Sequence, residues 1–228
     1  MHPLYTELKE VHERILKGIS LLDSPLTVTT VAGFDLTFRD KKAYCVAVVI
    51  DYATFDILEI EQTITDELMP HTTSLLAFRE GSPIIETYKK LQHQPDVLLV
   101  DGNGALHPYK VGTASYVGVL LNKPCIGIAK DLIHGHLEED LIIVHNEHRG
   151  TAVKTKAYAR PIFVSAGHGI SLDTSVQIVQ HCLKEYKLPY PLHIAHKNLV
   201  KLKKENDSEQ RTEKQQIVPM ETGVIRNQ

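Results

Sequence analysis

The chain has 228 residues, 43% of them hydrophobic, enough to bury the core of one sizeable domain. A formal net charge of −3 gives no global basic field, so any nucleic-acid contact has to come from a local patch. Cys45, Cys125 and Cys182 are odd in number, far apart and set among apolar residues, which argues for small buried hydrophobes in a reducing compartment and against a disulfide framework or a zinc knuckle.

The opening stretch, MHPLYTELKEVHERILKG, alternates charged and apolar residues and lacks the apolar core of a signal peptide. No run approaches the roughly 18 apolar residues a membrane span requires. A cytoplasmic location is expected, and a monomer is favoured. Leu8, Val11, Ile15, Ile19 and Leu22 recur at spacings of three and four, predicting an amphipathic helix over residues 4–22. VTTVAGFDLTF, AYCVAVVIDY and FDILEIEQTI follow, each rich in β-branched or aromatic residues, and predict a three-strand antiparallel meander.

Beyond residue 75 the pattern becomes a helical stretch, the strand PDVLLVD, a helical stretch from Lys110 to Leu121 and the strand PCIGIAK. Such alternation adds parallel strands through right-handed crossovers. A hairpin over 140–155, a strand at PIFVSAGH and helices over 173–186 and 193–204 complete the reading. The expectation is α/β, a mixed sheet flanked by helices in a single domain over residues 1–204. From Glu205 the sequence ENDSEQRTEKQQ is strongly polar, so residues 205–228 are expected to form a disordered tail.

Three carboxylates break local rules. Ala32, Phe34, Leu36 and Phe38 make one apolar strand face, which puts Asp35 on the opposite face beside Gly33. Aspartate is depleted in strands and a neighbouring glycine permits close approach, although a solvent-facing aspartate is the ordinary alternative. Glu80 falls between Leu76 and Ile84 in a helical stripe continued by Tyr88 and Leu91, where a carboxylate is costly unless paired or metal-bound. Gly81 and Pro83 leave open a kink, or a new helix capped by Ser82. Asp101 ends PDVLLVD and precedes Gly-Asn-Gly. Alone this reads as a turn, yet ligands of α/β sheets gather outside the carboxyl ends of parallel strands. Together the carboxylates form a hard-oxygen set suited to Mg²⁺ or Mn²⁺ and to metal-assisted phosphodiester hydrolysis.

VAGFDLTF, LLAFREG, PDVLLVDGNGALHP, CIGIAK and RPIFVSAGH, in this order, resemble endonuclease V, the deoxyinosine 3′ endonuclease, from about residue 30 to about 204. The resemblance implies a ribonuclease-H-like fold and Mg²⁺-dependent cleavage, with Mn²⁺ able to substitute, of the second phosphodiester bond 3′ to a deaminated base, chiefly inosine, in DNA repair. By that resemblance Asp35, Glu80 and Asp101 match the catalytic, metal-holding carboxylates and His107 a histidine near the metal. Lys130 matches a lysine that meets the phosphate or the attacking water, and His196 a more variable position near the metal. Ser74, Leu75 and Leu76 with the backbone of Gly102, Asn103 and Gly104 are the expected pocket for a base taken out of the stack.

The chain also departs from the family. Where the family usually carries Pro-Tyr-Ile-Pro-Gly, a wedge that fills the gap in the duplex, this chain has Pro70, His71, Thr72, Thr73 and Ser74. Losing an aromatic wedge removes stacking of about 1–3 kcal/mol per base, with His71 left to stack in part. Single-stranded DNA or RNA is therefore an open alternative substrate, and a binding module without turnover a third reading. Tyr109 and Tyr116 replace an arginine and a histidine of the family, leaving Lys110 as the nearest phosphate contact. The histidines at 134, 136, 145 and 148 lack the Cys/His quartet of a zinc site. Lys154, Lys156 and Arg160, and Lys197, Lys201, Lys203 and Lys204, are candidates for a local basic surface.

Overall fold

β-Branched and aromatic runs pair first along the chain. In the structure, a computed structural model that describes residues 3–25, 27–67 and 76–216, the strands β1 (Thr30–Arg39), β2 (Lys42–Asp51) and β3 (Ile57–Asp66) form the expected antiparallel meander. Asp40 and Lys41, both at positive φ, make the two-residue turn between β1 and β2. β4 (Val97–Asp101) then runs parallel to β1, and β5 (Cys125–Ala129) parallel to β4. Their crossovers contain α2 (Leu76–Lys90) and α3 (Thr113–Leu121).

The predicted 140–155 hairpin is part of a larger unit. β6 (His136–Glu138), β7 (Leu141–Val144) and β8 (Glu147–Val153) continue one another antiparallel, and β9 (Ile162–His168) joins them to β5. The resulting sheet has the order β3-β2-β1-β4-β5-β9-β8-β7-β6.

Both faces of the sheet centre are covered. α4 (Leu172–His181) and α5 (Tyr190–Gln216) bury Ile178, Leu192 and Leu199 against Val31, Leu99 and Ile128. α2 and α3 bury Ile84 and Val117 against Phe34, Leu98 and Val100 on the other face. Outside them, α1 (Pro3–Gly18) packs Ile15 beside Ala77 and Val111. Asp35 is consequently only 4% exposed, and the solvent-facing alternative does not hold.

Several local expectations change. α2 runs unbroken through Gly81 and Pro83; the Tyr116 ring lies where a side chain on Gly81 would stand, 2.3 Å from its Cβ position, so close packing rather than a kink explains the glycine. α3 starts at Thr113 instead of Lys110, because Lys110 is left-handed and Gly112, the N-cap, is extended. α4 stops at His181, and the chain turns back so that the Tyr190 N–H donates to the Cys182 carbonyl at 2.8 Å. Leu22 lies past the end of α1 and is 75% exposed, while the side chain of Leu8 is outside the described residues.

The disordered tail expected from Glu205 is corrected over its first half, since α5 continues as helix to Gln216. Its composition offers no apolar stripe, but the Tyr44 hydroxyl donates to Asn206 Oδ1 at 2.8 Å and Arg39 pairs with Asp207 at 2.5 Å, tying the extension to the meander. Residues 217–228 lie outside the described residues.

One contact sets the position of α5. A Cβ on Gly33 would stand 2.5 Å from the Leu192 nitrogen, so the first turn of α5 rests directly on the β1 backbone. Gly33→Ala is expected to destabilise the fold by roughly 1–3 kcal/mol, since helix or strand has to move. Urea unfolding checks this; an unchanged midpoint would show that α5 is not held by the close approach.

Candidate active site

Parallel pairing brings two of the carboxylates together. Phe34 and Val100 are register partners on β1 and β4, so the next residues, Asp35 and Asp101, emerge side by side at the strands' carboxyl ends. Burial first, then the charge of Asp101 and a hydrogen bond between the two carboxyl groups, push the Asp35 pKa up to about 6, against the opposing pull of Lys130 and His196. His196, one turn beyond Leu192 on α5, places Nδ1 2.7 Å from Asp35 Oδ2, and the Leu36 N–H donates to Oδ1 at 3.0 Å.

Lys130 completes the row. Asp101 pairs with Ile128 of β5, and two residues on, the Lys130 ammonium donates to Asp101 Oδ2. Burial alone lowers the lysine pKa, but the charges of Asp101, Asp35 and Asp131 together outweigh it and raise the value, so the ammonium is kept.

Glu80 approaches from the opposite face of the sheet. One turn before buried Ile84, its Oε2 accepts from Thr113 Oγ1 at 2.5 Å and lies 3.9 Å from the Cβ position of Gly102. Leu76, Glu80, Asn103, His107, Asp101 and Lys130 line one cleft; Asp35, His196 and Lys203 line a second opening, on the α5 side. Asp101 and Lys130 belong to both, so the two openings share a floor.

His107 is mostly enclosed, and burial first, then the charges of His134 and His12, lower its pKa to about 4. Its Nδ1 accepts the Tyr109 N–H at 3.3 Å. Arg149, itself buried, holds this turn by donating to the carbonyls of His107 and Pro108 at 3.3 and 3.0 Å. Lys110 is paired with Glu147 at 2.8 Å, which ties it to β8.

The Gly-Asn-Gly loop is built as a rigid support. Gly102 N–H donates to Ile128 O at 3.0 Å, Gly104 N–H to Ser165 Oγ at 2.9 Å, and Asn103 O accepts from Ala114 N at 3.0 Å. Leu76, Gly102 and Asn103 line the cleft, whereas Gly104 is buried against β9, where a Cβ would stand 2.3 Å from Ala166 O. His71, Ser74 and Leu75 lie outside the described residues. Thr113, Arg149 and Ser165 were missed from sequence. Only the glycine before Thr113, which marks a helix start, gave a local signal.

Among the described residues no group of three or more His, Cys, Asp or Glu side chains stands close enough to hold a metal ion as it is. Lys130, His196 and Thr113 instead engage Asp101, Asp35 and Glu80. The donor set still fits a hard divalent cation, being all carboxylate, and the charge of Asp101, which after burial raises the Asp35 pKa, is what such a cation would offset.

Residues 13–197 match the family model of Endonuclease V. The chain belongs to the Endonuclease V family. It is therefore a nuclease. Endonuclease V of Thermofilum pendens is 43% identical over 178 residues, covering 75% of this chain and 77% of the relative. That of Dictyoglomus thermophilum is 36% identical over 196 residues, covering 82% and 84%. The crystal structure of Endonuclease V from Bacillus subtilis superimposes with a TM-score of 0.81 at 30% identity over 90% of this chain and 94% of that one. Endonuclease V of Ciona intestinalis, in complex with a 23mer DNA containing an inosine followed by a ribo-adenosine, does so with a TM-score of 0.80 at 30% identity, covering 90% and 99%. The ribonuclease-H-like expectation thus holds. No helix among the described residues is long and apolar enough to cross a membrane.

The Asp35 environment has a testable cost. A carboxyl whose pKa rises on folding from 3.8 to about 6 favours the fold only while protonated, and that contribution is lost as pH rises through about 6. In metal-free buffer at pH 8, Asp35→Asn is expected to be more stable than the parent chain by on the order of 1–3 kcal/mol, the difference fading below pH ~4. Thermal melts across pH measure it; a variant that melts no higher at pH 8 contradicts the assignment.

Proposed function

We propose that this chain is a Mg²⁺-dependent endonuclease that cuts the second phosphodiester bond 3′ to inosine, leaving 3′-hydroxyl and 5′-phosphate ends, in the repair of deaminated DNA. The observation that carries the reading is the placement of Asp35 and Asp101 side by side at the ends of adjacent parallel strands, with Lys130 and Asp101 shared between their opening and the cleft that Glu80 lines. The DNA held by the Ciona relative, which contains inosine, supports the choice of base.

Asp35 and Asp101 would hold the cation, with Glu80 on the far side of the cleft. When bound, Mg²⁺ or Mn²⁺ lowers the pKa of an attacking water and neutralises charge on the leaving 3′-oxygen. Lys130 stays protonated, so its role is to hold a phosphate oxygen and not to take a proton. His107 is neutral at pH 7 and accepts at Nδ1, which leaves Nε2–H as a donor in the cleft. His196 orients Asp35, and Leu76, Gly102 and Asn103 form the wall against which an extruded base would lie.

A second reading, cleavage of inosine in RNA or single strands, has two observations in its favour. The chain carries Pro70–Ser74 where the family wedge stands, and the Ciona complex places a ribonucleotide directly after the inosine. End-labelled single-stranded DNA, duplex DNA and RNA of matched sequence, each with one inosine, separate the readings in Mg²⁺. A single cut one nucleotide beyond the inosine is expected, faster on single strands than on duplex and absent in Asp101→Ala; binding without any cut in Mg²⁺ or Mn²⁺ would instead mark a module without turnover. Lys130→Ala is expected to lower kcat by about 10²–10³-fold with a smaller change in KM, and Lys130→Arg to recover part of the loss. Equal kcat values for Lys130→Ala and the parent chain would remove the lysine from the chemistry.

A further inference from the structure

The roles above leave the segment between β8 and β9 unused. The sheet register fixes its place: Phe163 pairs with Ala129, so the segment enters β9 beside the strand end that carries Lys130. Arg160 Nη1 lies 3.3 Å from Asp131 Oδ1, and Asp131 lines the same cleft as Lys130. The end of segment 154–160 therefore lies beside the Asp131 side of the site.

Tyr158 stands two residues before Arg160 in this segment. It is fully exposed, and its φ of 63° lies in the left-handed region that bulky side chains rarely occupy. The fold thus holds an aromatic ring out in water in a disfavoured backbone conformation, between cations two residues away on either side. The Arg160–Asp131 pair is exposed at both ends, so its guanidinium exchanges partners at little cost. Basic groups interleaved with a free aromatic ring are the chemistry that binds single-stranded nucleic acid: cations follow the phosphates and the ring stacks on a base. Duplex bases have both faces covered by stacking, so an unpaired nucleotide is the occupant that fits.

We propose that residues 154–160 form a second contact for the substrate strand outside the cleft, with Tyr158 stacking on an unpaired base and Lys156 and Arg160 neutralising the adjoining phosphates. The proposal rests on the nucleic-acid reading given under Proposed function.

The test uses the full chain and a fluorescently labelled single-stranded DNA containing one inosine, with binding read by anisotropy in EDTA and cleavage in Mg²⁺. Tyr158→Ala is expected to weaken binding and raise KM by about tenfold, with kcat unchanged, while Tyr158→Phe, which keeps the ring, behaves as the parent. Tyr158→Gly relieves the backbone conformation, so it is expected to melt no lower than the parent and yet to bind as poorly as Tyr158→Ala. Lys156→Ala and Arg160→Ala each reduce the slope of log K against log salt by about 0.7. If the parent binds and cuts but Tyr158→Ala does so equally well, the rim contact is wrong and the function stands. Equal losses in Tyr158→Ala and Tyr158→Phe would overturn stacking in favour of the hydroxyl. A parent chain that neither binds nor cuts sinks the functional reading and this proposal with it.

Discussion

Two carboxylates in contact at the ends of adjacent parallel strands are the constraint around which the rest of the molecule is arranged. β1 and β4 run in the same direction with Phe34 opposite Val100, so Asp35 and Asp101 cannot avoid one another. α5 then closes over Asp35 and removes the water that would have screened the pair. Burial and like charge both act against ionising Asp35, and the structure answers with an ammonium on Asp101 and an imidazole on Asp35. A site that raises a carboxyl pKa toward neutrality gives up folding stability, a cost accepted at positions kept for chemistry.

The framework was legible because strand and helix periods are local. Alternation in VTTVAGFDLTF put Asp35 opposite the Phe34 face, and the apolar run of PDVLLVD put Asp101 at a strand end. What covers those positions was not legible. The approach of α5 to Gly33 joins residues far apart in sequence, so Asp35 is buried and its ordinary solvent-facing alternative is excluded. Gly81 and Pro83 suggested a broken helix, but the packing of Tyr116 against Gly81 outweighs their local preference. The polar stretch after Glu205 lacked a stripe, and only its contacts to Tyr44 and Arg39 reveal why helix continues there.

The supporting residues were hidden for the same reason. Thr113 meets Glu80 across 33 positions, and Arg149 reaches the His107 carbonyl across 42. Neither makes a motif, since a side chain that serves by a single hydrogen bond can come from any element that passes nearby. The carboxylates differed because each violates a rule of its own element, which is where sequence reasoning has purchase. Lys110, expected as a phosphate contact from its place beside ALHP, pairs with Glu147 across an exposed ion pair that sequence did not reveal.

Rigidity explains the glycines after Asp101. Left free, the end of β4 would swing away from Asp35 and relieve the repulsion. The backbone of residues 102–104 is instead tied to β5 through Ile128, to β9 through Ser165 and to α3 through Ala114, leaving that relaxation no path. Such ties demand backbone-to-backbone approach, and at Gly104 any side chain would collide with the Ala166 carbonyl. The loop therefore acts less as a flexible cradle than as a brace that holds one charge against another.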